Sequence, residues 1–205
     1  MPRHHASAAR PRVHLQRCCA CAGLVAVLLI TPLAARQERR NGPLETFVAL
    51  AVNTTGVGPI GGGTILIEVA RWSTEEERVR AASALRAKGP EGLLAELSSL
   101  EAVGTIRAPT GTGFPLKYAH ATRLGDGRRI VIATERPFGQ FDRPDPTGAQ
   151  SYPFTVIELR LDAEDRGDGR VALFARIGLN ADDGTLAVEN YTEAPIRLAS
   201  VAKTN

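Results

Sequence analysis

The alternation of apolar and polar residues predicts that most of the chain is β-structure. Residues 45–53 (ETFVALAVN) and 64–72 (TILIEVARW) are rich in Val, Ile and aromatic residues, and turn-forming residues separate them. This composition is typical of strands bounded by turns. The first part of the domain is therefore predicted to be a pair of strands.

The period then changes from two residues to that of a helix. Residues 73–77 (STEEE) match a capping box, in which Ser73 receives the amide of Glu76 and the Glu76 side chain reaches back. A helix is predicted over residues 74–88, ending at a glycine. A second helix is predicted to begin at Pro90, because proline is favoured in the first turn of a helix.

From residue 103 onward the pattern is again strand and turn. Clusters of Gly, Asp and Pro separate segments with a period of two, which predicts antiparallel hairpins. The whole pattern predicts a mainly β (α+β) domain: a single antiparallel barrel or sandwich of about nine strands, with a two-helix insertion after the second strand.

The N-terminus has the pattern of a secretion signal. Residues 1–17 carry four arginines and no acidic residue, and residues 18–35 carry no charge. The apolar run at 20–30 is too short to span a bilayer core, which needs roughly 20 residues. The small residues at the end of this stretch predict cleavage after Ala35. The predicted organisation is a signal peptide at 1–35, a linker at 36–44 and one β-rich domain at 45–205.

This segment predicts a periplasmic or extracellular location. Arg36, Arg39 and Arg40 follow the apolar run directly, and positive charge at that place also fits an uncleaved N-terminal helix that anchors the protein. If the signal is cleaved, no transmembrane span is predicted in the mature chain.

Removal of residues 1–35 changes the composition that bears on chemistry. All three cysteines and three of the four histidines lie in that segment, and His120 remains. The mature chain therefore has no thiol, no disulfide and no basis for a multi-histidine zinc site. After Ala35 there are 21 basic and 22 acidic residues, a net charge of −1. This balance gives no reason to expect a nucleic-acid partner.

Three motifs suggest ligand binding but lack the necessary context. Residues 56–61 match G-x-G-x-x-G, yet a β-branched run follows instead of the helix that a dinucleotide fold requires. The acidic turns at 162–168 and 180–183 do not have the ligand spacing of a calcium loop. We interpret all three as hairpin loops, and no metal or cofactor is predicted.

Four residues are candidates for binding a ligand, and none is assigned a catalytic role. Alternation across residues 115–124 places Leu116, Tyr118 and His120 on one face of a strand, so His120 is predicted to be half-buried among apolar residues. Arg136 begins a long loop at a strand end, where binding residues are common. Trp72 lies at the junction between a strand and a helix. The candidates are Trp72, Tyr118, His120 and Arg136.

Several segments carry a wider resemblance. They are RWSTEEER at 71–78, RRIVIATERP at 128–137, SYPFTVIELRLD at 151–162 and ENYTEAPIRL at 189–198. The chain resembles a group of exported bacterial proteins of unassigned function. The resemblance implies a single intact domain in a bacterial envelope, and it implies no activity or substrate.

Two functional hypotheses follow. The first is a non-catalytic, exported module that binds a ligand or a protein, with an envelope protein as a possible partner. The second is a small hydrolase or isomerase that uses His120 or a carboxylate pair such as Glu135 and Asp142. The second requires these groups to converge in one pocket, within hydrogen-bond reach of a substrate.

Overall fold

The computed structural model describes residues 44–53, 61–136, 154–190 and 195–205. The predicted signal peptide and Asp142 lie outside the described residues, as does most of the glycine-rich motif. Within the described ranges the chain forms eleven strands and one helix. They are β1 (Glu45–Asn53), β2 (Gly61–Val69), α1 (Glu75–Ser99), β3 (Gly104–Arg107), β4 (Phe114–Leu116), β5 (Tyr118–Leu124), β6 (Gly127–Thr134), β7 (Thr155–Leu161), β8 (Arg166–Ala172), β9 (Arg176–Leu179), β10 (Leu186–Asn190) and β11 (Ile196–Lys203).

Nine of these strands form one antiparallel sheet in the order β4-β3-β2-β1-β11-β8-β7-β6-β5. Its two edge strands, β4 and β5, are separated along the chain by Lys117 alone, so the sheet nearly closes on itself. The Lys117 amide donates to the carbonyl of Ala133 in β6 at 3.0 Å. Strands β9 and β10 form a separate hairpin. The prediction of a mainly β, antiparallel, barrel-like domain is confirmed.

The interior of the sheet is filled with apolar side chains. All nine strands contribute alternate residues to one buried group, which we call the interior cluster. It includes Phe47, Ile67, Ile106, Leu116, Ala119, Ile130, Ile132, Ile157, Leu159, Val171 and Leu198. Because these residues come from every strand, they form the packed core of the barrel rather than the lining of a cavity.

A second buried group lies on the outer face of β5–β8. The residues that alternate with the interior ones on these strands pack against α1 and the β9–β10 hairpin. This outer cluster includes Tyr118, Val131, Ala133, Val156, Ala172, Leu93, Leu97, Ile177 and Leu186. The part of the barrel formed by β5–β8 therefore has a covering layer, and that layer positions the candidate site.

The insertion after β2 is a single kinked helix, so the two-helix insertion is not confirmed. Gly89 has φ 63° and ψ −153° within α1, and Pro90 follows it. The capping box also lies one residue later than predicted, at Thr74 and Glu77. Ser73 instead accepts a hydrogen bond from the Ala119 amide at 3.0 Å, which ties the start of the helix to β5.

Two of the alternating segments after residue 103 are each divided between two strands. The segment 115–124 breaks at Lys117, and the break shifts the alternation: Leu116 faces the interior cluster, whereas Tyr118 belongs to the outer cluster. Residues 170–178 are divided between β8 and β9, and Phe174 in the connection has φ 52°. In the part of the chain that the structure describes, no helix is long and apolar enough to cross a membrane.

Candidate functional site

Polar side chains gather on the outer face of β5 and β6, beside the covering layer. In this hairpin Thr122 is paired with Arg129 and His120 with Val131. Residues paired across antiparallel strands project from the same face. Thr122, His120 and Arg129 therefore share the outer face with Tyr118.

The first turn of α1 supplies a partner for His120. The Arg78 Nη1 atom lies 3.2 Å from His120 Nε2. Because a guanidinium can only donate, Nε2 is the acceptor and carries no proton. Arg78 also forms an ion pair with Glu75, one turn earlier on the helix. The imidazole is thus held between β5 and α1.

The connection between β9 and β10 brings a carboxylate to the same place. Asp183 Oδ2 accepts from the Thr122 hydroxyl at 3.2 Å. Its Oδ1 accepts from the amide and hydroxyl of Thr185, at 3.0 and 2.6 Å. The hairpin is therefore linked to β5 through polar contacts as well as through the outer cluster.

Tyr118 forms the buried floor of this region. Tyr118 is 1% exposed, and its hydroxyl proton has no acceptor within the described residues. The Leu186 backbone lies near enough to influence the pKa of the phenol. A backbone amide can only donate, however, so the phenolic proton still lacks an acceptor.

We call these residues the His120 cluster: Arg78, Tyr118, His120, Thr122, Arg129 and Asp183. Burial lowers the pKa of His120 and the charge of Arg78 lowers it further, while Asp183 acts in the opposite direction and Arg129 adds to the lowering. Burial raises the pKa of Tyr118 to about 12.

The pKa of Asp183 is lowered. Burial alone would raise it, but the hydrogen bonds from Thr185 and Thr122 and the charge of Arg129 outweigh burial. At neutral pH the cluster therefore contains a neutral imidazole, a neutral phenol, a carboxylate and two guanidinium groups.

This arrangement favours binding over proton transfer. The Nε2 lone pair that would act as a base already accepts from Arg78. The phenol of Tyr118 remains protonated well above neutral pH. The cluster is instead rich in hydrogen-bond donors, which its two guanidinium groups and its phenol supply.

The other predicted candidates lie elsewhere. Trp72 is partly buried against the interior cluster. Arg136 is exposed at the end of β6, with its guanidinium 4.9 Å from the centroid of the Phe114 ring, a distance that suits a cation–π contact. Tyr118 and His120 are therefore brought together, whereas Trp72 and Arg136 belong to other surroundings. Glu135 lies beside Arg136, and its predicted partner Asp142 is outside the described residues.

Two other charged features lie outside the His120 cluster: a network of ion pairs and a shallow groove. Arg128 contacts Glu45 and Asp165 at 2.8 and 2.7 Å, and Lys203 lies 3.5 Å from the same two carboxylates. The two positive and two negative charges of this network balance each other, so a structural role explains it without a ligand. A shallow groove of about 280 Å³ crosses the outer face of β7 and β8, lined by Glu158, Arg160, Asp168, Gly169 and Arg170. Over the described ranges, no three metal-ligating side chains converge.

Sequence reasoning missed Arg78, Arg129 and Asp183. The pairing of Arg129 with Thr122 follows from the tight turn at Gly125, because Leu124 pairs with Gly127, so the register could have been inferred from the turn. The positions of Arg78 and Asp183 depend on how α1 and the β9–β10 hairpin dock, which no local pattern reveals. Comparison with known protein families, curated proteins and solved structures finds no match.

Proposed function

We propose that this protein is an exported, non-catalytic binding module whose binding surface is the outer face of β5–β8. The observation that carries the proposal is the contrast between the two faces of the sheet. The inner face is packed with apolar side chains from all nine strands, so a ligand has no room there. The outer face carries the His120 cluster and, beside it, the polar groove on β7 and β8.

The two polar features adjoin across the strands. Arg129 in β6 is paired with Arg160 in β7, and Glu158 is paired with Arg170 in β8. Polar and charged residues therefore continue from the His120 cluster into the groove. A surface of this kind suits a polar ligand or the charged surface of an envelope protein.

A hydrolase or isomerase that uses His120 is the less supported alternative. It requires the Nε2 lone pair, which Arg78 occupies at 3.2 Å. The carboxylate pair of Glu135 and Asp142 gives no better support, since Asp142 lies outside the described residues. We therefore favour binding.

Export remains part of the proposal, and residues 1–35 support it by their pattern of charge and hydropathy. A fusion of residues 1–44 to alkaline phosphatase tests it, because that reporter is active only outside the cytoplasm. We expect activity in a bacterial host, and loss of activity when Leu28 and Leu29 are both replaced by arginine. An inactive fusion would contradict export.

Photo-crosslinking in the producing cells tests the binding surface. A photoreactive residue is placed at Leu124, which lies two residues beyond Thr122 on the outer face of β5 and is 54% exposed. The matched control is Leu50, which is 46% exposed on β1, away from the covered strands β5–β8. We expect adducts at position 124 and none at position 50. Adducts at both positions, or at neither, would contradict the proposal.

A further inference from the structure

Two buried donors in the His120 cluster lack an acceptor within the described part of the chain. They are the Tyr118 hydroxyl and the Arg129 Nε–H group. A buried donor that is left unsatisfied costs stability, so native proteins usually provide it with a partner. Both groups lie on the outer face of the β5–β6 hairpin. Either donor would be completed by a hydrogen-bond acceptor.

The charge around these donors is also incompletely balanced. Both oxygens of Asp183 are engaged by neutral donors from Thr122 and Thr185. No ion pair joins Asp183 to Arg129 among the described residues. Arg129 is moreover paired across the strands with Arg160, and like charges in directly paired positions are destabilising. Arg160 is already paired with Glu158 at 3.0 Å, whereas no described carboxylate forms an ion pair with Arg129. A negative charge added beside Arg129 would therefore relieve the remaining repulsion.

We propose that Arg129 of the His120 cluster, with Arg160 beside it on β7, binds a small oxyanion, a phosphate or carboxylate group. The inference rests on the proposed function, because it names the kind of ligand that the outer face takes. Arg129 supplies a charge and its Nε–H donor, and guanidinium groups bind both oxyanions through paired hydrogen bonds. Arg160, which is largely exposed, leaves the site open to solvent.

Titration of the purified chain tests the inference. Arginine Nε–H resonances are followed by NMR while inorganic phosphate or acetate is added at constant ionic strength, with chloride as the reference anion. We expect the Arg129 resonance to shift and saturate with phosphate, acetate or both, and the stronger of the two identifies the natural group. Shifts that stay linear, or that chloride reproduces, would mean that water alone satisfies these donors, and they would overturn the inference.

Substitutions in the cluster should change the affinity for the anion in opposite directions. Arg129→Gln should weaken anion binding at least about tenfold, since it removes a charge-assisted hydrogen bond. Arg129→Lys keeps the charge but loses the Nε–H group, so its affinity for the anion should lie between those of the wild-type protein and Arg129→Gln. Asp183→Asn removes a nearby negative charge and should strengthen binding about fivefold. The control Arg107→Gln removes a surface arginine from β3 and should leave binding unchanged.

A purely structural role for these residues predicts that all cluster variants weaken binding together, or that none changes it. Either pattern would overturn the inference, provided that urea unfolding shows each variant to be folded. The crosslinking experiment separates the two proposals. If position 124 gives adducts while neither anion binds, the oxyanion inference fails and the proposed function stands. If both experiments are negative, both fail.

Discussion

Replacement of Leu159 by alanine tests whether the barrel interior is as closed as the proposed function requires. Leu159 lies on the inner face of β7 and is fully buried. The change removes three carbon atoms, worth about 2.4 kcal/mol at about 0.8 kcal/mol per buried methylene. In a tightly packed core the cavity adds to this loss, so the free energy of unfolding should fall by about 3 to 5 kcal/mol.

The matched control is Leu50→Ala. Leu50 is 46% exposed on the outer face of β1, so its loss should cost less than about 1 kcal/mol. Trp72 is the single tryptophan of the chain and contacts the interior cluster, so its fluorescence can report urea unfolding for both variants. Similar costs for the two substitutions would refute the reasoning, because the interior would then be loosely filled and able to admit a ligand.

Three further predictions concern other parts of the fold. Because His120 has a lowered pKa in the folded protein, stability should fall as the pH drops below about 6.5, the ordinary histidine value; His120→Gln should flatten that dependence in urea titrations between pH 7 and pH 5. Arg128→Met leaves the carboxylates of Glu45 and Asp165 with Lys203 alone, so thermal unfolding should show a loss of about 2 to 4 kcal/mol; an unchanged midpoint would contradict this. Gly89→Ala places a side chain at φ 63° and should cost about 1 to 3 kcal/mol, whereas the control Gly63→Ala meets no neighbouring atom and should be nearly neutral.

The sheet could be predicted because its information is local. Alternating segments such as residues 45–53 match their observed strand, and turns fix the pairing of consecutive strands such as β5 and β6. The pairing of β11 with β1 and β8 is long-range and follows from no turn. The break at Lys117 could not be predicted in the same way. Closing the barrel requires one stretch of chain to pair with β3 first and with β6 afterwards, and this long-range demand overrides the alternation that linked Leu116 to His120.

The helix shows a similar limit. A cap was expected at Ser73, but the hydroxyl of Ser73 bonds to the Ala119 amide instead. Thr74 therefore becomes the cap, with Glu77 as its partner. Both residues suit a capping box, so the tertiary contact decides between two nearly equivalent local solutions.

The candidate site was predictable only in part. His120 and Tyr118 could be placed on one face from the period of the strand. Their surroundings come from α1 and the β9–β10 hairpin, which are distant in sequence. The polar contact between Arg78 and His120 spans 42 residues, and that between Thr122 and Asp183 spans 61. Contacts of this range depend on packing rather than on any local motif.

The central claim, that recognition takes place on the outer face of a nearly closed barrel with a filled interior, is tested most directly by NMR mapping of the labelled protein. A soluble extract of the producing cell's envelope is added, and two groups of resonances are compared. The account predicts shifts at the amides of Thr122 and Arg129, with the methyl groups of Ile130, Ile132 and Ile157 unchanged. Shifts at these interior methyl groups, with the amide resonances of Thr122 and Arg129 unchanged, would contradict the claim.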